Sequence, residues 1–338
     1  GIHGTKIQNY TSDPDNPLIG QVWYNETTNG LKYEYQSTTS AWSTGGNLNT
    51  ARQYLGSAGI QTAALAFGGS VPAKTAITES YNGTNWTEVN DLNTARTQLG
   101  GTAATNTAAL AFGGYDPSPA LTGATENWNG TNWTEVNDLT TARSYMGTAG
   151  TNTAALGFGG YGPGRTAITE LWNGTNWTEV NDLNVARNSL AGAGTQTSAL
   201  AIGGDTGGPN IYTLTESWNG TNWTAVTAMN SGRYRLGGAG SDNTSALGFG
   251  GYGPGVPLAL TETWNGSSWT ETADLATGRQ SLGSAGTNTA ALAFGGNGLS
   301  AATEEFNTGV VGGSWATGGA LNTARGNLAG AGIQSAAL

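Results

Sequence analysis

The hydrophobic positions of this chain come in runs of about five residues, separated by glycine, threonine and asparagine. Between Tyr54 and Asp91 the order is YLGSAGIQTAALAFGGSVPAKTAITESYNGTNWTEVND. Gly, Thr and Asn weaken every helical window of ten or so residues here, so helix is a poor reading. Four short strands fit instead: strand a over Tyr54–Ala58, b over Ala63–Phe67, c over Ala76–Tyr81 and d over Trp86–Val89. Between c and d lies Asn82-Gly83, a tight-hairpin signal because both turn residues take positive φ. It recurs at Asn129-Gly130, Asn173-Gly174, Asn219-Gly220 and Asn265-Gly266. In strand b, Leu65 and Phe67 share one face while Ala64 and Ala66 share the other, as pleating requires. Both faces are apolar, so each sheet is expected to be covered on both sides.

The unit repeats. Arginine falls at Arg52, Arg96, Arg143, Arg187, Arg233, Arg279 and Arg325, each led by a tryptophan ten residues earlier, from Trp42 to Trp315. A double glycine ends strand b after each of the first six arginines, from Gly68-Gly69 to Gly295-Gly296. A period of about 45 residues carrying four short strands is that of a propeller blade. The small residues of a and b suit the crowded centre of a radial array, and the Trp and Tyr of c and d fill the widening gaps outside. Six units run from Tyr54 to Thr317. A seventh is assembled from both ends: Leu31–Tyr35 and Ala41–Thr44 as strands c and d, Asn327–Gly332 and Gln334–Leu338 as strand a and the start of b. The prediction is an all-β, seven-bladed β-propeller over residues 21–338, with four antiparallel strands per blade and the last blade closed by N- and C-terminal strands. Repeat boundaries fall near 52, 96, 143, 187, 233, 279 and 325. Such closure removes exposed sheet edges. Two completions of the seventh strand b stand side by side: Gln21–Asn25 supplies it, or the last strand pairs with a neighbouring molecule to give a homo-oligomer or fibre. Residues 1–20, with the turn-rich Ser12–Pro17, read as an arm or linker.

Composition narrows the chemistry. The chain has 338 residues, no Cys, one His (His3), 12 Lys and Arg against 22 Asp and Glu, and a net charge of −10. Thiol chemistry and Cys-ligated metals are excluded, and a multi-His centre lacks ligands; no metal and no cofactor is expected. The acidic balance argues against nucleic acid as a partner. No apolar run approaches the roughly 20 residues that cross a bilayer, so membrane insertion is not expected. The start at Gly1 reads as a mature form or part of a longer polypeptide. A Ser-His-Asp triad would have to use His3, in the arm, and no phosphate-binding loop is present. Glu79, Glu126, Glu170, Glu216, Glu262 and Glu304 recur once per unit on strand c. Paired carboxylates hydrolyse glycosides, but a position repeated around a ring reads as scaffold, bonded to the repeat arginine or to backbone. The expectation is a protein that is not an enzyme.

Strand alternation places a–b and c–d turns on one rim, and b–c loops with d–a connections on the other. The second rim varies in length and content, where a rigid scaffold usually recognises ligands. Tyr115, Tyr161, Tyr212 and Tyr252 stand out in it as aromatic contacts for a sugar or protein. The seven repeat arginines precede the innermost strand on the same rim. They either ring the mouth of a central channel and engage an acidic peptide or sugar acid, or satisfy local carbonyls and the repeat glutamates.

The arginine, the double glycine and the paired aromatics together resemble a kelch repeat, over about residues 30–338. Gly20–Lys32 (GQVWYNETTNGLK) followed by Trp-Asn-Gly-Thr-Asn-Trp-Thr-Glu repeats is similar to tail-fibre and other virion-associated proteins of bacteriophages, marine ones especially. That resemblance implies a virion or extracellular location, a structural or adhesive role, and as partners a host-surface glycan or protein receptor and other virion proteins.

Overall fold

The computed structural model describes residues 8–12, 22–27, 30–33, 37–118, 120–208 and 212–312. The chain divides into two compact units, residues 41–307 and residues 1–40 with 308–338. In the smaller unit Gln8–Tyr10 pairs in parallel with Val22–Asn25, which pairs antiparallel with Gly30–Tyr33.

The larger unit is built on six four-stranded antiparallel sheets. Blade 1 consists of Gly56–Ile60, Ala63–Phe67, Thr78–Tyr81 and Trp86–Val89, close to the strands expected from sequence. Blades 2 to 5 repeat this order, with inner strands Gly100–Thr105, Gly147–Gly150, Ala191–Gly194 and Gly237–Asp242. Blade 6 is composite: Gly283–Gly286, Ala290–Phe294 and Thr303–Gly312 are joined by Ser37–Gly45 as the outer strand.

The propeller therefore has six blades, not seven. Trp42 and Trp315 carry the same outer-strand signature, and the sequence reading gave each its own blade. In the structure Trp42 occupies the outer strand of blade 6, the place that reading gave to Trp315. The segment read as a seventh strand c, Leu31–Tyr35, contributes instead to the strand Gly30–Tyr33 beside Val22–Asn25. Part of the segment read as a linker, Gln8–Tyr10, is also a strand. Asn327–Gly332, Gln334–Leu338 and Arg325 lie outside the described residues.

Packing between blades follows the alternation in strand b. Ala64 and Ala66 face blade 6 and share a core with Leu292 and Phe294, whereas Leu65 and Phe67 face blade 2 and share one with Ala109 and Trp133. All four side chains are fully buried, and each large one contributes about 1.5–3 kcal/mol. Each outer-strand tryptophan crosses to the preceding blade, and its indole N–H donates to a threonine hydroxyl at the start of strand c. Trp133 reaches Thr78 at 3.1 Å, and Trp177, Trp223 and Trp269 reach Thr125, Thr169 and Thr215. Trp86 bonds Thr303 at 3.0 Å and Trp42 bonds Thr261 at 3.1 Å, which carries the pattern around the ring without a break.

The inner strands obey a volume rule. In five blades the first residue of strand a is a glycine directly opposite a phenylalanine of strand b, as Gly56 is to Phe67. A Cβ on Gly56 would stand 2.3 Å from Phe67 Cε2. In blade 4 the pair is Ala191 and Ile202, where the smaller side chain leaves room for the methyl.

Candidate binding site at the channel mouth

The six inner strands enclose a narrow central channel lined by glycine, alanine, serine and threonine. Its mouth on the variable rim is made by the residue two places after each repeat arginine: Tyr54, Gln98, Tyr145, Ser189, Arg235 and Ser281. All six are left-handed, with φ between 54° and 58°. Their backbones form a closed circle. The N–H of Gln98 donates to Tyr54 O (2.8 Å), Tyr145 to Gln98 (3.0 Å), Ser189 to Tyr145 (2.9 Å), Arg235 to Ser189 (2.7 Å), Ser281 to Arg235 (2.9 Å), and Tyr54 to Ser281 (3.0 Å). Left-handed backbone costs a non-glycine residue about 1–2 kcal/mol, and the hydrogen bond that each blade donates to the preceding one holds it there.

A second tier surrounds this circle. The residue one place after the arginine pairs with the residue after the double glycine in five blades: Gln53 with Ser70, Thr97 with Tyr115, Ser144 with Tyr161, Asn188 with Asp205, and Tyr234 with Tyr252. Three positions per blade, each varied from blade to blade, thus converge on one mouth. Those of blades 2 to 5, joined by Lys74 of blade 1, line a cavity of about 490 Å³ whose walls include Tyr115, Tyr145, Tyr161, Asp205 and Arg235.

Arg235 is its central charge. The guanidinium lies 5.5, 5.8 and 5.3 Å from the ring centroids of Tyr54, Tyr145 and Tyr234, a cage of negative ring faces. Its Nη1 makes only a long bond to Gln280 Oε1, at 3.4 Å, and its Nε is buried without a hydrogen-bond partner. Gln98 Oε1 is buried without a partner as well. Burial pushes the Tyr145 hydroxyl up to about 12, with neighbouring Tyr54 adding to the shift and Arg235 opposing it. Lys74 lies 5.7 Å from the Tyr115 ring and donates to the backbone oxygen of Asp116. Asp205 is held by Arg165 at 2.7 Å.

The repeat arginines are elsewhere. Arg52, Arg96, Arg143, Arg187, Arg233 and Arg279 are buried inside their own blades, each paired with the strand c glutamate: Arg52–Glu79 at 3.1 Å, Arg96–Glu126, Arg143–Glu170 and Arg233–Glu262 at 2.8 Å, and Arg187–Glu216 and Arg279–Glu304 closer still. The placement at the mouth is thus corrected in favour of the scaffold reading, because each guanidinium also binds carbonyls within its blade. Arg143 Nη1, for example, donates to Gly159 O and Ile168 O. The second carboxylate oxygen of Glu170 accepts the N–H of Thr140, tying down the d–a connection. Burial lowers all six guanidinium pKa values, Arg52 to about 10, against the opposing pull of the glutamates. Of the four tyrosines, Tyr115 and Tyr161 line the cavity. Tyr212 and Tyr252 flank Tyr234, at 5.2 and 5.5 Å between centroids, and extend the aromatic wall toward blade 5.

Arg235 and its five counterparts were missed from sequence. The signal was present: the two residues between the repeat Arg and the following Leu or Met differ in every unit, while both flanks barely change.

No family model matches this chain, and no curated protein matches it. Among solved structures, that of YjhT superposes with a TM-score of 0.65 at 14% identity, over 78% of this chain and 96% of that one. At that identity the likeness establishes the fold alone, a β-propeller.

Proposed function

We infer that this chain is a non-catalytic recognition propeller that binds an acidic glycan at the channel mouth. One observation carries the reading. In a chain of net charge −10, the described basic side chains outside the blade ion pairs are Lys74, Arg165 and Arg235. Two of them line the cavity, and the third holds its carboxylate, Asp205. The outer strands carry the opposite charge, with Glu88, Glu135, Glu179 and Glu271 exposed. Positive charge collected at one concavity of an acidic protein attracts and orients an anion. Tyr115 and Tyr161 offer faces for a sugar ring, and the cavity of about 490 Å³ suits a ligand of one or two rings. The strand c glutamates, sequestered by arginine, leave Asp205 as the carboxylate lining the cavity, which supports binding without hydrolysis. In the setting that the phage resemblance implies, the ligand is a host-surface glycan and the protein belongs to a virion.

The test is calorimetry with acidic and neutral oligosaccharides at two salt concentrations. Acidic sugars should bind, more weakly at high salt, and Arg235→Ala should lower affinity about tenfold or more, the worth of a charge-assisted hydrogen bond. Equal binding of neutral sugars, or release of a cleaved product, would refute the reading.

A further inference from the structure

The outer strand of each blade is paired on one side only. Its other edge carries N–H and C=O groups that a further strand can join. Most blades guard that edge with charge. The third residue of the outer strand is an exposed glutamate in blades 1, 2, 3 and 5: Glu88, Glu135, Glu179 and Glu271. An aspartate follows three residues later, at Asp91, Asp138, Asp182 and Asp274. In blade 6 the carboxylate comes from the adjacent strand, where Glu305 Oε1 lies 3.2 Å from the place of a Cβ on Gly45.

Blade 4 is the exception. Its outer strand, Trp223–Val226, has Ala225 in place of the glutamate, and Ala228 follows in place of the aspartate. From Ser217 to Gly232 the chain has no charged residue. A third substitution accompanies these two. Asn90, Asn137 and Asn181 each donate through Nδ2 to the c–d turn of the next blade, at 2.8–3.0 Å, whereas blade 4 has Thr227 at that place. Thr224, Ala225, Thr227 and Ala228 are exposed. Among the described residues, nothing outside their own sheet hydrogen-bonds them.

We propose that two copies of this chain associate through this edge. The outer strands of the two fourth blades run antiparallel about a two-fold axis, so that one four-stranded sheet continues into the other. Charge selects a second copy and selects this blade. A chain of net charge −10 repels itself, and edge pairing at blades 1, 2, 3 or 5 sets carboxylates against carboxylates, which destabilises cross-strand contact. At blade 4 the facing residues are threonine, alanine and valine, neutral and suited to a strand. The contact is short, so the dimer is weak and reversible. Salt strengthens it by screening the repulsion between the two acidic chains.

Sedimentation equilibrium of the full-length protein is the test. The mean mass should rise from one chain toward two with concentration, and further at higher salt. Ala225→Glu should hold it at one chain under every condition. Four other blades carry Glu at that place, so the variant keeps its fold, which an unchanged Tm verifies. Thr134→Glu adds the same charge to the exposed face of the outer strand of blade 2 and should dimerise as the parent does. A parent protein that stays at one chain at every concentration overturns the proposal and leaves the edge to a strand of another protein. Association that survives Ala225→Glu, or that Thr134→Glu abolishes equally, overturns it too. Growth beyond two chains overturns the two-fold form.

Discussion

Six side chains at the channel mouth hold a backbone conformation that glycine adopts without steric cost, in a chain with 56 glycines. Side chains kept at strained positions mark places where the side chain itself is used. Ser281 tests the cost directly, because its hydroxyl is also buried without a partner. Ser281→Gly should raise stability by about 1 kcal/mol, measured by denaturant unfolding, since it removes the left-handed penalty. Tyr145 gives a pH signature. Its folded pKa of about 12 lies above the ordinary value of 10.0, so the folded state keeps a proton that the unfolded state gives up. That contribution is complete below pH 10 and disappears as pH rises through 12. Stability should decline over that interval, and Tyr145→Phe should make the decline shallower. The repeat arginine was legible at this scale, and so was its alternative as a partner of the strand c glutamate. The residue two places beyond it was not legible as a site, because it differs between repeats and carries no recurring chemistry.

At the scale of the blade, the buried Arg–Glu pair joins two elements: the d–a connection, through the arginine and the backbone just before it, and strand c. Removing one partner leaves a charge buried without compensation, which costs about 3–5 kcal/mol. Arg143→Ala should therefore unfold or severely destabilise the protein, seen as a large drop in Tm, whereas Arg235→Ala should remain folded. That contrast separates scaffold arginines from the one at the mouth. Strand positions in blade 1 were readable because turn chemistry and two-residue alternation both act locally. The same alternation also foretold the packing, with Leu65 and Phe67 on one neighbour and Ala64 and Ala66 on the other. What sequence did not announce was the match of Gly56 to Phe67 and of Ala191 to Ile202, which depends on register across two strands.

For the whole molecule, the repeat dictated a radial array of four-stranded sheets, because apolar faces on both sides of every sheet can be buried only between like neighbours. The number of blades was not legible in the repeat. Trp42 and Trp315 are chemically equivalent, and a local pattern has no means of saying that two copies compete for one place. The ring size follows from how sheets twist and pack around an axis, and the closing strand from which segment reaches the open edge. The convergence of Lys74, Tyr115, Tyr161 and Arg235 on one cavity has the same origin. They lie in four different repeats, and nothing short of the closed circle of blades brings them within reach of a single ligand.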